Sequence, residues 1–168
     1  LGCRTSIKPA SGRLVLRDNL IDTRDVLIWS WAQGATTPKA DFGTPATTTG
    51  YRLCLHDATG LRLAAAAPAA GTCPVRPRWT DKPTGFGYGD HDATPDGVTR
   101  ITLREGLVDG KAVVKVKGKG TLLALPGSAT LTSPVTVQLR NDAGRCFGAT
   151  YRAPFDRQDT EQFRDRSE

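Results

Sequence analysis

The apolar positions of this chain recur every second residue far more often than every third or fourth. Leu14 and Leu16 share one face of a segment over 13–18 with Val15 on the other, and Leu27, Trp29 and Trp31 alternate with Val26, Ile28, Ser30 and Ala32 over 26–33. This period of two predicts half-buried β-strands. Tyr51, Leu53 and Leu55 alternate with Arg52, Cys54 and His56. Asp57-Ala58-Thr59-Gly60 then reads as a turn, with Gly placed for positive φ, and Leu61 to Ala66 returns as the second arm of a hairpin. Phe86 and Tyr88 suit a short edge strand. Further strands are predicted over 98–104, 113–119, 135–140 and 146–152, with a turn at Asn141-Asp142-Ala143-Gly144. Long Gly-, Pro- and Thr-rich loops separate them, 67–78 among these, and the charged tail from Asp156 has room for at most one helical turn near Thr160 to Phe163. No amphipathic helix of ten or more residues is legible. Roughly ten short strands at regular spacing predict an all-β fold, an antiparallel β-sandwich.

The strands come in two similar sets. Residues 13–27 lie over 100–114 at a constant offset of 87, with Arg13, Leu16, Arg17, Leu20, Asp22 and Val26 recurring identically as Arg100, Leu103, Arg104, Leu107, Asp109 and Val113. Residues 43–60 lie over 127–144 at an offset of 84, anchored by Leu55/Leu139, Asp57/Asn141 and Gly60/Gly144, so the intervening loop differs by three residues. A short third echo sets 88–92 against 163–167. Two blocks repeating in the same order predict one pseudo-symmetric domain over 1–168, with halves of about 1–92 and 93–168, rather than a solenoid.

Composition narrows the class. A chain of 168 residues fits one domain, and 7% aromatic content with 18 Gly and 11 Pro favours many turns. No apolar run approaches the roughly 18 residues of a membrane span. A net charge of +6 is consistent with anionic partners, but no dense basic block suggests a nucleic-acid tail. The four cysteines, Cys3, Cys54, Cys73 and Cys146, have no zinc spacing. An even count with no Met and two His points to disulfides in an oxidising compartment, secreted or at the cell surface. Three connectivities are possible. The reading favours Cys54–Cys73, closing a loop of about 20 residues, together with Cys3–Cys146. Leu1-Gly2-Cys3 also allows a lipobox cysteine, a less simple role for Cys3 than a disulfide.

Candidate chemistry is sparse. Asp90, Asp92 and Asp96 before Gly97 suggest a Ca2+ loop, although the spacing departs from the EF-hand template and a solvated acidic turn has the same composition. Trp29, Trp31 and Trp79 could form an aromatic platform for sugar rings, or an ordinary sandwich core. Lys115, Lys117 and Lys119 share one face of one strand. That row could meet an anionic polysaccharide, or it could guard an edge strand against aggregation. It has no interleaved aromatics, which argues against single-stranded nucleic acid. His56 and His91 are the only histidines, and no Gly-x-Ser-x-Gly, His-Glu-x-x-His or phosphate-cradling loop is present. The expectation is therefore a protein that is not an enzyme.

Several passages carry a family resemblance: Leu27-Ile28-Trp29-Ser30-Trp31 followed by Ala40-Asp41-Phe42-Gly43, then Tyr51-Arg52-Leu53-Cys54-Leu55, then Thr94-Pro95-Asp96-Gly97-Val98 with Lys115-Val116-Lys117-Gly118-Lys119-Gly120. Pro134-Val135-Thr136-Val137-Gln138-Leu139 and Gln162-Phe163-Arg164-Asp165 extend it over nearly the whole chain. Together they resemble a β-rich domain of secreted and cell-surface proteins of myxobacteria and related bacteria, which implies location and fold class rather than chemistry. Pro77 and Arg78 stand where that group carries a cysteine before the tryptophan, which puts a pairing for Cys73 in doubt. The expectation is a non-catalytic extracellular binding module, with polysaccharide or other surface proteins as partners. Trp29, Trp31 and Trp79 would stack on the ligand, and Lys115 and Lys117 would hold its anionic groups. The alternative is a structural spacer or assembly subunit.

Overall fold

A computed structural model describes residues 2–168. The chain folds as two antiparallel sheets packed face to face. In chain order the strands are β1 (Gly12–Arg17), β2 (Val26–Gly34), β3 (Tyr51–Asp57), β4 (Gly60–Ala67), β5 (Thr72–Cys73), β6 (Arg76–Pro77) and β7 (Trp79–Lys82). They continue with β8 (Gly85–Gly89), β9 (Val98–Arg104), β10 (Ala112–Lys119), β11 (Val135–Asn141), β12 (Cys146–Tyr151), β13 (Arg157–Gln158) and β14 (Gln162–Arg166). The larger sheet runs β13-β14-β1-β2-β10-β9-β8-β7 and the smaller β12-β11-β3-β4, while β5 and β6 form a separate hairpin. Strands of two to four residues, such as β5, β6 and β13, are too short to show a period, which is why the pattern suggests about ten. Three further expectations are corrected. Residues 162–166 form a strand, not a helical turn, because Phe163 and Asp165 alternate inward against β1. The segment 67–78 is not simply loop, since it holds the β5–β6 hairpin. Strand β8 is not an edge, since β7 pairs along its outer side.

Inward side chains of both sheets form one core. Leu14, Leu27, Trp29, Trp31, Val114, Val116, Ile101 and Phe163 of the larger sheet meet Leu53, Leu55, Val135, Val137, Leu139, Phe147 and Tyr151 of the smaller. Burial of large aliphatic and aromatic side chains contributes roughly 1.5–3 kcal/mol each, and this is where the alternation read in the sequence acquires its stabilising effect. Trp31 requires Gly34, where a Cβ would lie 1.9 Å from the indole ring. The two hairpin turns end in Gly60 and Gly144 at φ +129° and +79°, a region that favours glycine.

The sequence repeat is a structural repeat. The offset of 87 lays β1 over β9 and β2 over β10, and the offset of 84 lays β3 over β11. Trp29 faces Val116 across β2–β10, and Cys54 faces Gln138 across β3–β11. Each pair consists of equivalent positions, so a pseudo-twofold axis passes through both sheets there. The third echo also identifies equivalent strands, but its register slips by two residues: Phe163 opposes Leu16 as Phe86, not Tyr88, opposes Leu103. The terminal hairpins cross over. β7–β8, from the end of the first half, pairs with β9 of the second. β13–β14, from the end of the second, pairs with β1 of the first.

The edges of the smaller sheet are covered. Cys3 is disulfide-bonded to Cys146. Beside it the Arg4 amide donates to the Cys146 carbonyl and the Gly148 amide to the Arg4 carbonyl, both at 2.8 Å, so the N-terminal segment lies along β12. On the other edge, the Ala66 amide of β4 donates to the Asp96 carboxylate at 2.9 Å. Such caps occupy groups that would otherwise template another strand. Among the described residues no helix is long and apolar enough to cross a membrane.

Candidate anion-binding face

The outward positions of the larger sheet are strongly basic. On β10, Lys115, Lys117 and Lys119 alternate with buried Val114, Val116 and Gly118, so all three point to solvent. They follow one another at about 7 Å, twice the rise per strand residue. The edge-strand explanation for these lysines is overturned, because β10 sits in the middle of the sheet with β2 on one side and β9 on the other. Next to it, β9 turns Arg100 and Arg104 outward. Beyond β2, strand β1 presents Arg13 and Arg17, and β14 presents Arg164 and Arg166. The intervening β2 offers only partly covered Val26, Ile28, Ser30 and Ala32.

Register makes this arrangement unfavourable in the free protein. Arg13 lies directly opposite Arg166, Lys117 opposite Arg100, and Arg157 opposite Arg164. Like charges facing one another across strands are destabilising, by a few tenths of a kcal/mol to about 1. Arg157 is ion-paired with Asp159. None of the other nine cations on β1, β9, β10 and β14 belongs to an ion pair among the described residues. The outer face of the smaller sheet differs. It carries Arg52, Arg62 and Arg140, of which Arg62 is paired with Asp57 and Arg140 donates to Gln138.

The tryptophan platform is overturned. Trp29, Trp31 and Trp79 are 0%, 0% and 2% exposed. The Trp29 Nε1–H donates to the Tyr151 hydroxyl at 3.0 Å, and the Trp79 Nε1–H to the Pro68 carbonyl at 2.8 Å. Trp79 packs between Tyr51 and Tyr88. These rings cannot reach a ligand. An alternating strand looks the same in sequence whether its aromatic face meets another sheet or solvent, which explains the miss.

The acidic trio is divided. Asp90 and Asp92 lie with Cys73, their ligand-type atoms within 4.8 Å of one another, while Asp96 is spent on the β4 edge. Asp90 is buried and organises its loop. It accepts from the amides of Asp92 and Thr94 and from the hydroxyls of Thr94 and Tyr88, and it is ion-paired with Arg78 at 3.3 Å. Burial raises its pKa, but hydrogen bonds from Cys73, Thr94 and the Asp92 amide, with the Arg78 charge, outweigh that and hold the carboxyl below its ordinary value. A thiol and two carboxylates, one of them already saturated with donors, do not make the all-oxygen shell that Ca2+ takes.

Cys54 and Cys73 are not bridged. Cys54 lies on the outer face of the smaller sheet opposite Gln138, whereas Cys73 lies in the β5–β6 hairpin against Asp92. Burial pushes the Cys54 thiol up. The Asp92 amide beside Cys73 favours its thiolate, but the Asp90 and Asp92 carboxylates contribute to holding the thiol above its usual value.

No known family, curated protein or solved structure matches this chain, so the functional reading rests on the geometry. Arg13, Arg17, Arg100, Arg104, Arg164 and Arg166 were not singled out from sequence. A signal existed, because Arg13/Arg100 and Arg17/Arg104 are among the six identities at the offset of 87.

Proposed function

We propose that this domain is a binding module for an acidic extracellular polysaccharide, held across the outer face of the eight-stranded sheet. One observation carries the reading: nine cations with no ion-pair partner among the described residues share one open sheet face, and two pairs of them are set directly opposite each other. An anionic polymer would relieve that repulsion and gain by releasing counterions, so its binding would fall steeply with salt, as for other polyelectrolytes. The two halves share outward arginines at equivalent places, Arg13/Arg100 and Arg17/Arg104, which supports a role for the charge itself. Among the described residues no exposed Trp, Tyr or Phe ring accompanies these cations, so base stacking of the kind that holds single-stranded nucleic acid lacks its usual platform. The Cys3–Cys146 bridge suits an oxidising compartment.

The test is retention of the purified domain on immobilised polymers during a salt gradient. A sulfated or uronic-acid polysaccharide retains the domain at low ionic strength and releases it as salt rises. A neutral glycan does not retain it, and the Lys115→Gln/Lys117→Gln/Lys119→Gln variant elutes earlier. Equal retention on neutral glycan, or an unchanged profile for the triple variant, overturns the reading. Tighter retention on single-stranded DNA than on any polysaccharide replaces the ligand class.

A second reading is a spacer or assembly subunit. It is favoured by the burial of all three tryptophans and by the exposed loop tips Leu20 and Leu107, which occupy equivalent places in the two halves. Concentration-dependent self-association without polymer retention supports that reading instead.

A further inference from the structure

Resting on the polyanion reading, we propose that the polymer is gripped at one place by a subsite for a single anionic sugar residue, one carrying a sulfate or carboxylate group. The place is a cleft of about 610 Å³ between the β5–β6 hairpin and the β8–β9–β10 corner of the larger sheet. Cleft volumes of roughly 300–1,000 Å³ suit small ligands rather than bare ions. Four cations line it: Arg76 from the hairpin wall, Arg100 from β9, and Lys117 and Lys119 from β10.

Local sequence explains the convergence. The β9–β10 register shifts between Lys117 and Gly118, where Lys117 pairs with Arg100 but Gly118 with Val98. Thr99 is the extra residue, and its hydroxyl donates to the Lys117 carbonyl at 3.2 Å. A bulge bends its strand and re-aims side chains, here beside Arg100. On the other side of Arg100 stands Gly89, with no side chain to fill the space and nothing within 4 Å of where its Cβ would be. The cleft therefore stays open between Arg100 and the hairpin. The one carboxylate in its lining, Asp90, is paired with Arg78 and occupied by the Asp92 and Thr94 donors, so it does not neutralise the four cations. Arg76, Arg100, Lys117 and Lys119 form no ion pair among the described residues.

The experiment is an amide NMR titration of the 15N-labelled domain with three probes: inorganic sulfate, a sulfated disaccharide and a digalacturonate. Two of the probes separate sulfate from carboxylate as the source of the anion. Shifts are expected to cluster at Gly89 to His91, Thr99 to Arg100 and Lys117 to Lys119. Gly89→Phe fills the cleft without changing charge, and it should weaken the disaccharide by about tenfold or more. Arg100→Gln should weaken it too, and serves if Gly89→Phe does not fold. Arg52→Gln, on the outer face of the smaller sheet, should leave it unchanged. Shifts spread over β1 and β14, no loss in the cleft variants, or equal affinity for inorganic sulfate and both disaccharides overturns the subsite. Polymer retention measured in parallel separates the two ideas. Retention without cleft shifts removes only the subsite, whereas cleft shifts without retention leave the subsite and remove the polymer.

Discussion

Lys117→Glu should make the domain more stable and a poorer binder at the same time. Lys117 faces Arg100 directly across β9–β10, with Lys115 and Lys119 two residues away on the same strand face. The substitution removes a repulsive cross-strand pair and creates an attractive one. Each change is worth a few tenths of a kcal/mol to about 1 at exposed positions, so the sum is about 1 kcal/mol. For a domain of this size that is a rise in Tm of about 3 °C. Lys117→Gln, which removes the repulsion alone, should give about half. Calorimetry at 20 mM and at 1 M NaCl provides the check, since screening to about 3 Å at the higher salt should abolish most of the gain. Polymer retention measured on the same samples should fall. A Lys117→Glu protein less stable than wild type at low salt would refute the claim that the face is electrostatically strained. A gain that persists at high salt would refute its electrostatic origin.

Other consequences can be checked on the same protein. Cys3→Ser opens a closed segment spanning 143 residues of sequence and should cost up to about 5 kcal/mol in the chain-entropy account, read by denaturant melts with and without reductant; equal midpoints would contradict it. Non-reducing peptide mapping should return Cys54 and Cys73 as free thiols. Trp29→Phe removes the donor to the buried Tyr151 hydroxyl and leaves a gap in the core, costing about 2–4 kcal/mol in equilibrium unfolding. Asp57 is buried, which raises its pKa, yet donors from Thr59, Thr132 and Arg62 outweigh that and hold the carboxyl well below the ordinary range. Its stabilisation is therefore present above an unfolded pKa of about 3.9 and is lost as pH falls below it. Asp57→Asn should be less stable than wild type at pH 7, with the gap narrowing by about pH 3; a gap independent of pH would contradict the linkage.

The architecture was legible because a two-residue period survives on nearly every long strand, and because six identities at one offset left little room for chance. Strands such as β13 carry two residues, and no period can be read from two. The candidate face was half legible. Lys115 and Lys117 alternate visibly, but their meaning depends on whether β10 has neighbours on both sides, which only non-local pairing decides. The arginines of β1, β9 and β14 are scattered in sequence and meet through strand order. The tryptophans misled because period gives a face but not what covers it. The favoured Cys54–Cys73 bridge failed for a related reason: short separation along the chain says nothing of two positions assigned to different layers.

The crossed-over terminal hairpins and the twofold through Trp29 and Val116 give the molecule the layout of two identical subunits that have exchanged their last strands, joined into one polypeptide. Two separate copies would be bound to carry the same residue at both equivalent places. Joining them removes that obligation. Lys115, Lys117 and Lys119 occupy the places that Ile28, Ser30 and Ala32 hold in the other half. An object with symmetric bones thus acquires a polar direction along its surface, a charged lane beside a nearly neutral one. A ribbon-like ligand settling there would meet a different partner on its left and on its right, and so could be read in only one orientation.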